Sequence, residues 1–350
     1  MVTKKWKWMM TLFVVFLTTT IMNAQSKDSL DIQQQSLIKI SALTAVGKLE
    51  PLKIQLNKGL DNGLTINEIK EELVQLYAYC GFPRSLNAIN TFKTVVEERK
   101  AKGIKDVDGK KIIVINTPSD KYEQGRKMLE ELTRTAQLKP APGFGEFAPR
   151  IDAFLKEHLF ADIFVSDVLS YQQRELVTIA ALASIPGVDG QLQSHINMGK
   201  NTGITVAQLE QLANLVEIQV SITQANTVRQ LIGKQLVPLV KPEMMVRISE
   251  IEILPEYLEE YNAILKQEAT ASVKLEAGVI AIFPMYQKEN PTQIRIIEMY
   301  ADKAGYQSHL KTPHFLHYKT TTLKMVKLLK LVDMESLDRD AMLEIFKKLN

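Results

Sequence analysis

Two segments of the chain are near copies of each other. Residues 190–205, GQLQSHINMGKNTGIT, follow the pattern of residues 50–65, EPLKIQLNKGLDNGLT, and from Gly47 against Gly187 six of twenty positions are identical at an offset of 140. Each copy ends in a glycine, an apolar residue and a threonine, which is typical of a helix C-terminus followed by the N-cap of the next helix. Because such a hairpin buries its apolar face only against a partner, the repeat predicts a helical assembly in which both hairpins pack about a pseudo-twofold axis.

The two copies differ in their polar residues. His195 lies in the second copy, and Gln55 takes its place in the first. Upstream, SLIKISAL aligns with ELVTIAAL, so Glu175 corresponds to Ser36. Both members of a Glu–His pair are therefore replaced in the first copy, while glycine and apolar positions persist. We interpret the first copy as a structural half.

The spacing of Glu175 and His195 allows the two side chains to meet. Glu175 lies 11 residues before Pro186, and His195 lies 8 residues after Gly187. At a rise of about 1.5 Å per residue, they are roughly 16 and 12 Å from the turn, on antiparallel helices. A carboxylate beside an imidazole raises its pKa and fixes its tautomer, which suits acid–base chemistry. The alternative is a hydrogen-bonded core histidine and a solvated charge at a helix start.

Residues 1–24 have the pattern of a secretory signal peptide. Three lysines precede the apolar run MMTLFVVFLTTTIM, and cleavage is expected after Ala24. The alternative is a retained N-terminal anchor, because Met22 is large for a position so close to the cleavage site. We therefore expect export, to the periplasm or the medium, and no membrane partner after cleavage.

Charge and cysteine content indicate which partners and which covalent cross-links can be expected. The chain has 43 basic and 40 acidic residues, and residues 1–24 hold three of the basic ones and no acidic one. The remaining chain has 40 of each, so nucleic acid is not expected as a partner. Cys80 is the only cysteine, which excludes an internal disulfide, and we interpret it as a buried small apolar residue.

Hydrophobic periodicity divides the rest of the chain. Helices are predicted over residues 28–103 and 122–240, joined by a connector, 104–121, with the β-branched run KKIIVINT. KPAPGFGEFAP interrupts the second region, because no helix crosses such a stretch, and helices resume at Ile151. After the link VPLVKP, residues 243–340 have the β-α-β-β-α-β order of a ferredoxin-like domain. One helix is predicted through KAGYQSHLKTPHFLHYKTTTLKMV and a last strand in LLKLVDMESL.

RELVTIAALASIPGVDGQLQSHINMGKNTGITVAQLEQL resembles the core of the carboxymuconolactone decarboxylase family, helical proteins that include alkylhydroperoxidase-like members. The resemblance extends upstream through KYEQGRKMLEEL, and the first repeat resembles a degenerate second copy. AYCGFPRSLNAINTF is similar to a glycine–proline stretch that follows the histidine helix in such proteins. The resemblance implies two alkylhydroperoxidase-like helical repeats, with Glu175 and His195 as the catalytic pair.

The peroxidase branch of this family uses a Cys-x-x-Cys pair just before the histidine. Those positions hold Val188 and Gln191, and Cys80 lies outside the motif. Because one thiol cannot form an intramolecular disulfide, peroxidase activity is not expected.

EMYADKAGYQSHLKTPHF in the C-terminal region resembles the antibiotic-biosynthesis-type monooxygenase domain. The resemblance implies a pocket between sheet and helices for an aromatic or quinol substrate, used without metal or flavin. His309, His314, Tyr300 and Tyr306 are the substrate-binding candidates. The alternative is that this stretch only packs the helix on the sheet.

Other residues of this region are assigned to the core or left without a role. His317 adds a third histidine, but Pro313 interrupts the helix and no nearby carboxylate completes a ligand set, so neither metal nor cofactor is expected. The aromatic side chains expected in the core are Tyr257, Tyr261 and Phe283.

Two functions follow from these patterns. The first is an exported enzyme of the carboxymuconolactone decarboxylase type, acting through His195 and Glu175 on a small cyclic or carboxylated organic compound. The second is a non-catalytic helical scaffold or small-molecule binder that presents the monooxygenase-like domain. A homodimer or higher oligomer is expected, because apolar residues on both faces of the C-terminal sheet require a second covering layer. The alternative cover is the chain's own helical repeats.

Overall fold

The computed structural model describes residues 28–112, 120–238 and 243–337. It divides into two compact units, Met1–Val237 and Pro238–Asn350, called here the helical unit and the C-terminal unit. The predicted signal peptide lies outside the described residues, as do most of KKIIVINT and of the VPLVKP link. Within the described ranges no helix is long and apolar enough to cross a membrane. The predicted class, mainly α with an added ferredoxin-like domain, is confirmed.

The first repeat consists of α1 (Ile32–Val46), α2 (Leu49–Asp61) and α3 (Ile66–Ala101). The predicted threonine cap is present, since Thr65 accepts from the Glu68 backbone and Glu68 bonds back to Thr65. Helix α3 kinks at Gly81, whose φ of +81° lies in the region that favours glycine.

The second repeat and the segment before it contain the remaining helices of this unit. After the connector come α4 (Lys121–Thr133), α5 (Phe144–Phe147), α6 (Pro149–Ala153) and a π-helical segment (Phe154–Ile163). The repeat itself consists of α7 (Tyr171–Ala183), α8 (Asp189–Asn201), α9 (Val206–Gln219) and α10 (Ile222–Leu231). No helix crosses KPAPGFGEFAP, as expected, but short helical turns form at its end, and α6 begins at Pro149, two residues before the predicted restart at Ile151.

The repeats are in direct contact, as predicted. Equivalent helices α1 and α7 pack against each other, and each repeat contributes to the other's apolar core. A buried polar network reinforces this contact: Gln75 of α3 donates to the Arg174 carbonyl at 2.9 Å, and the Arg174 guanidinium pairs with Glu71 at 3.0 Å. Arg174 is fully buried at the start of α7, so the first repeat fixes the end of the helix that carries Glu175.

The C-terminal unit has the predicted order of elements. Its strands are β1 (Met245–Ile253), β2 (Val279–Tyr286), β3 (Gln293–Tyr300) and β4 (Val326–Met334), in the antiparallel order β2-β3-β1-β4. The helices are α11 (Leu258–Leu275), α12 (Lys303–His309) and α13 (Pro313–Thr322). The prediction of a single helix through residues 303–326 is therefore wrong. It divides because Thr312 caps a new helix and proline takes its first position.

The sheet is covered by helices on one face. Buried side chains of β1 and β3, including Ile251, Ile253 and Ile296, pack with Tyr261 of α11 on that face. Register places Phe283 opposite Ile297 on the other face, and Phe283 is 60% exposed. The prediction of a core position is therefore wrong for Phe283, correct for Tyr261 and correct in part for Tyr257, which is half-buried against the core.

Candidate functional site

The structure brings Glu175 and His195 together on neighbouring helices α7 and α8. His195 Nδ1 lies 2.8 Å from Glu175 Oε2, and Glu175 is completely buried. Because a carboxylate only accepts hydrogen bonds, Nδ1 carries the proton and Nε2 is left as the basic nitrogen. The Oε1 atom of Glu175 is buried without a hydrogen-bond partner among the described residues. The carboxylate is thus committed to the imidazole.

A repeated glycine sets the distance between the two helices. A Cβ on Gly199 would lie 3.0 Å from Ile179 and 3.7 Å from the Glu175 Cβ. The equivalent Gly59 is similarly close, at 3.2 Å, to Ile40 of α1. Both copies therefore use glycine to bring the second helix of the hairpin onto the first, and in the second copy this places His195 beside Glu175.

The first repeat also contributes to the His195 site. The ring of Tyr79, just before the kink of α3, makes an edge-on contact with the imidazole at 5.3 Å between centroids. Its hydroxyl oxygen is buried, and burial together with the Glu175 carboxylate raises the pKa of Tyr79 above its usual range. Tyr79 therefore stays protonated beside the histidine. Sequence reasoning missed this residue, because only the folded chain brings α3 to α8.

His195 lines a cleft of about 1110 Å³ in the helical unit. One wall comes from α8, a second from Tyr77 and Phe82 at the kink of α3, and the largest from residues 121–162. The segment that forms the largest wall precedes the second repeat in the chain and, together with α3 of the first repeat, encloses the cleft beside His195.

A buried ion pair belongs to the lining of this cleft. Lys156 and Asp152 are both fully buried, with Nζ 2.8 Å from Oδ1, and Tyr122 bonds to both. Burial acts to raise the pKa of Asp152, but hydrogen bonds from Lys156 and Tyr122 outweigh it and hold that pKa below its usual range. Lys156 also donates to the Leu138 carbonyl, so the ammonium group has several partners in the protein.

A second histidine–carboxylate pair lines the same cleft. His158 Nδ1 is 3.0 Å from Asp162, and Lys121 is 2.7 Å from the other oxygen of that carboxylate. Unlike His195, His158 is exposed, and its ring lies 5.4 Å from that of Tyr77. Sequence reasoning missed this pair, although its spacing of four residues was a signal that could have been used.

The equivalent positions in the first repeat have other contacts. Ser36 donates to the Ile32 carbonyl and accepts from Asn62 at 3.0 Å, while Gln55 is half-buried. Cys80 packs against the core of this repeat, donates to the Leu76 carbonyl, and has its pKa raised by burial to about 11. The thiol is therefore protonated at neutral pH, as its assignment as a small apolar residue requires.

The C-terminal candidates also come together. His309 Nδ1 lies 3.0 Å and His314 Nε2 2.6 Å from the same Glu276 oxygen. Burial acts to raise the pKa of Glu276, but the two histidines lower it overall. Glu268 faces His309 at 3.8 Å, and burial raises its pKa. Sequence reasoning missed both glutamates.

Tyr300 and Tyr306 border this cluster. Their rings are 5.2 Å apart, and the Tyr300 ring is 5.4 Å from that of His309. Tyr300 donates to Glu298 at 2.9 Å, while Arg247 donates to the Tyr306 hydroxyl at 2.7 Å. Four predicted residues thus form one contact network. Within the parts of the chain that the structure describes, no group of three or more acidic, His or Cys side chains is arranged to hold a metal ion.

Comparison with known families agrees with this architecture. Residues 14–94 and 149–232 match the Carboxymuconolactone decarboxylase family, and residues 244–321 match the family described as Antibiotic biosynthesis monooxygenase. The chain therefore combines two regions of the carboxymuconolactone decarboxylase family with one antibiotic biosynthesis monooxygenase domain. No curated protein matched the chain.

Solved structures similar to the chain include three bacterial proteins. One from Bacteroides thetaiotaomicron, described as an antibiotic biosynthesis monooxygenase, is 50% identical over 27% of this chain and 91% of its own, with a TM-score of 0.27. One from Nitrosomonas europaea with the same description is 19% identical over 28% and 95%, with a TM-score of 0.27. A Pseudomonas aeruginosa protein is 21% identical over 27% and 96%, with a TM-score of 0.26.

Proposed function

We propose that the helical unit is an acid–base enzyme that acts on a small organic molecule in the cleft beside His195. The observation that carries this proposal is the buried Glu175–His195 pair at the edge of a large cleft. A carboxylate orients the imidazole and stabilises its protonated form, which is the arrangement needed for proton transfer to or from carbon.

The chemistry follows from the tautomer. With Nδ1–H donating to Glu175, Nε2 of His195 accepts a proton from an acidic C–H group, and the electron pair moves into the adjacent carbonyl to give an enolate. In a decarboxylation the C–CO₂ bond breaks instead, its electron pair forms the same enolate, and a protonated Nε2 delivers the proton to carbon. Glu175 stabilises the imidazolium in both cases, since its oxygen lies 2.8 Å from Nδ1.

Solvent exchange tests this role directly. A panel of cyclic ketones, lactones and β-keto acids is incubated with the full chain in D₂O, and deuterium at the carbon next to the carbonyl is followed by NMR. We expect exchange or decarboxylation of at least one compound, lost by a factor of about 10² or more in His195→Ala. Glu175→Gln should lose less, because the imidazole remains. Gln55→Ala, at the equivalent position of the first repeat, is the matched control and should keep full activity.

Activity that survives in His195→Ala contradicts the proposal. If a compound of the panel binds but is not exchanged by the unmodified chain or by any variant, the helical unit is a small-molecule binder and not an enzyme.

For the C-terminal unit we propose a second small-molecule site around His309, His314, Tyr300 and Tyr306, in a cofactor-free monooxygenase-like domain. The carboxylates of Glu276 and Glu268 beside His309 support this role, because a histidine between two buried carboxylates is suited to hold or move a proton. His309→Ala should then abolish oxidation of a quinol by the full chain, measured as oxygen consumption. Unchanged oxygen uptake would contradict this role.

We further propose that the uncovered sheet face forms a homodimer, because exposed Phe283 of the edge strand β2 lies on that face opposite Ile297 of β3. Phe283→Arg in the full chain should halve the mass measured by light scattering. Leu316→Arg on α13, also exposed, is the control and should leave the mass unchanged. An unchanged mass for Phe283→Arg would favour cover by the chain's own repeats.

We also propose that the chain is exported, because residues 1–24 have the pattern of a signal peptide.

A further inference from the structure

The cleft of the helical unit has no free positive charge among the described residues that line it. Its two lysines, Lys121 and Lys156, are each paired with a carboxylate, at 2.7 Å from Asp162 and 2.8 Å from Asp152. A third carboxylate in the lining, Glu157, has no ion-pair partner in the described ranges. With His158 and His195 neutral, two cations against three anions leave the lining with an excess of negative charge.

This balance is unfavourable to a carboxylated ligand. A carboxylate that leaves water for a cleft needs a cation or several donors to offset its desolvation, and here both ammonium groups already have partners. Glu157 and the buried Glu175 behind His195 would add repulsion. The expectation of a small carboxylated substrate is therefore at odds with the lining.

The rest of the lining is apolar and partly exposed. Phe82, at 62% exposure, and Phe154, at 54%, face the cleft together with the exposed side chains of Phe144 and Ile151. Large apolar side chains that converge on one cleft from two parts of the chain mark a site for an apolar ligand.

The size of the cleft points the same way. A volume of about 1110 Å³ is at the upper end of ordinary small-molecule sites, and it exceeds what a single ring requires. A single ring beside His195 would fill only part of this volume, whereas an apolar chain on the ligand would fill more of it along the apolar lining.

We propose that the substrate of this cleft is a neutral, ring-bearing molecule with an apolar chain of several carbons, whose carbonyl or hydroxyl group lies at His195. Only the placement of this polar group rests on the proposed function, of which proton abstraction from carbon, and not decarboxylation, fits a neutral substrate. The charge and size of the ligand follow from the lining.

Four probes separate charge from chain length: 4-hexylphenol, 4-hexylbenzoate, phenol and benzoate. Their binding to the full chain at neutral pH is measured by calorimetry, below the concentrations at which the hexyl compounds aggregate. We expect 4-hexylphenol to bind at least tenfold more tightly than 4-hexylbenzoate and than phenol. Equal or tighter binding of either benzoate, or no binding of 4-hexylphenol, overturns the inference.

A blocking variant locates the site. Ser194 is exposed on α8 and lines the cleft, so Ser194→Trp should abolish binding of 4-hexylphenol. Gln193→Trp, on the same helix but outside the lining, is the matched control and should bind as the unmodified chain does. Binding that survives Ser194→Trp places the apolar site elsewhere and overturns the inference.

The two proposals fail independently. His195→Ala removes the polar contact of the ligand but not the apolar ones, so it should weaken binding of 4-hexylphenol by no more than roughly tenfold. If this variant binds normally but keeps full exchange activity, the acid–base function is wrong and the ligand class stands. If it loses exchange while benzoates bind best, the ligand class is wrong and the function stands.

Discussion

The two helical repeats have the same backbone design but different chemistry. Gly63 and Gly203 both have positive φ, +94° and +101°, before the N-cap threonine of the next helix. Only the second copy has a carboxylate and an imidazole at the contact between its first two helices, where Ser36 and Gln55 stand in the first. Turns and close helix contacts have therefore persisted in the first copy, while the acid–base pair is absent from it.

The first copy is nevertheless more than a support. At the offset of 140, its kink at Gly81 corresponds to Ser221, where the second copy ends one helix and begins another. Just before this kink Tyr79 of α3 contacts His195, and just after it Phe82 lines the cleft. The first copy therefore lines the cleft as well as packing against the second copy, although it lacks the acid–base pair.

The largest effect is expected at the buried ion pair of the segment that precedes the second copy and forms the cleft wall. Asp152→Asn would leave the fully buried Lys156 without its carboxylate, which costs about 3–5 kcal/mol of unfolding free energy. Because hydrogen bonds lower the pKa of Asp152 below its unfolded value, this stabilisation is present above the ordinary Asp pKa and lost as pH falls through the lowered one.

Chemical denaturation at neutral pH measures the effect of Asp152→Asn. Asp167→Asn breaks only the exposed pair with Lys110 and is the control, with an expected change of less than about 1 kcal/mol. Equal stability of the two variants would show that the buried pair contributes nothing.

A smaller loss of stability is expected at Gly125, where α4 packs against the π-helical segment of the cleft wall. A Cβ on Gly125 would lie 1.8 Å from the Lys156 carbonyl oxygen, a contact that backbone atoms cannot relieve without moving apart. Gly125→Ala should therefore destabilise the protein by roughly 2–3 kcal/mol in thermal or chemical unfolding. Gly190→Ala on α8 meets no atom within 4 Å and should be neutral or slightly stabilising. A neutral Gly125→Ala would disprove the close approach.

Sequence patterns predicted the repeated elements better than the site around them. Glycine, threonine caps and apolar spacing are local signals, so the hairpins and the Glu175–His195 pair were predictable. Tyr79 was not predictable, because its contact with His195 depends on how α3 packs against α8 in the folded chain. The pairs Asp152–Lys156 and His158–Asp162 had helical spacing but stood beside a proline- and glycine-rich stretch, which obscured the π-helical segment.

Glu71 and Glu72 are neighbours in α3, and their substitution by glutamine should change the free energy of unfolding with opposite sign. Burial raises the pKa of Glu72 well above its usual range, and one of its oxygens has no hydrogen-bond partner in the described part of the chain. The folded state therefore holds this proton more tightly than the unfolded state. Stability falls as pH rises from the ordinary value of 4.5 towards the raised one.

Glu72→Gln should accordingly gain at least about 1 kcal/mol at neutral pH and nothing in acid. Glu71→Gln should lose about 1–3 kcal/mol, because it weakens the pair with the buried Arg174 at 3.0 Å. Urea unfolding at about pH 4 and about pH 7 distinguishes the two variants. A loss of stability for Glu72→Gln at about pH 7 would contradict the raised pKa of Glu72.

The smallest effect is expected at Tyr79, and it decides whether the first copy contributes to the His195 site. An edge-on aromatic contact contributes about 0.5–1.5 kcal/mol beyond burial, so Tyr79→Leu should lower exchange activity by a few-fold up to roughly tenfold. Tyr79→Phe keeps the ring and should stay within about twofold. Gln219→Leu, at the equivalent position of the second copy, is the control and should have no effect. If Tyr79→Leu were as active as this control, the ring would not position His195, and the first copy would contribute packing alone.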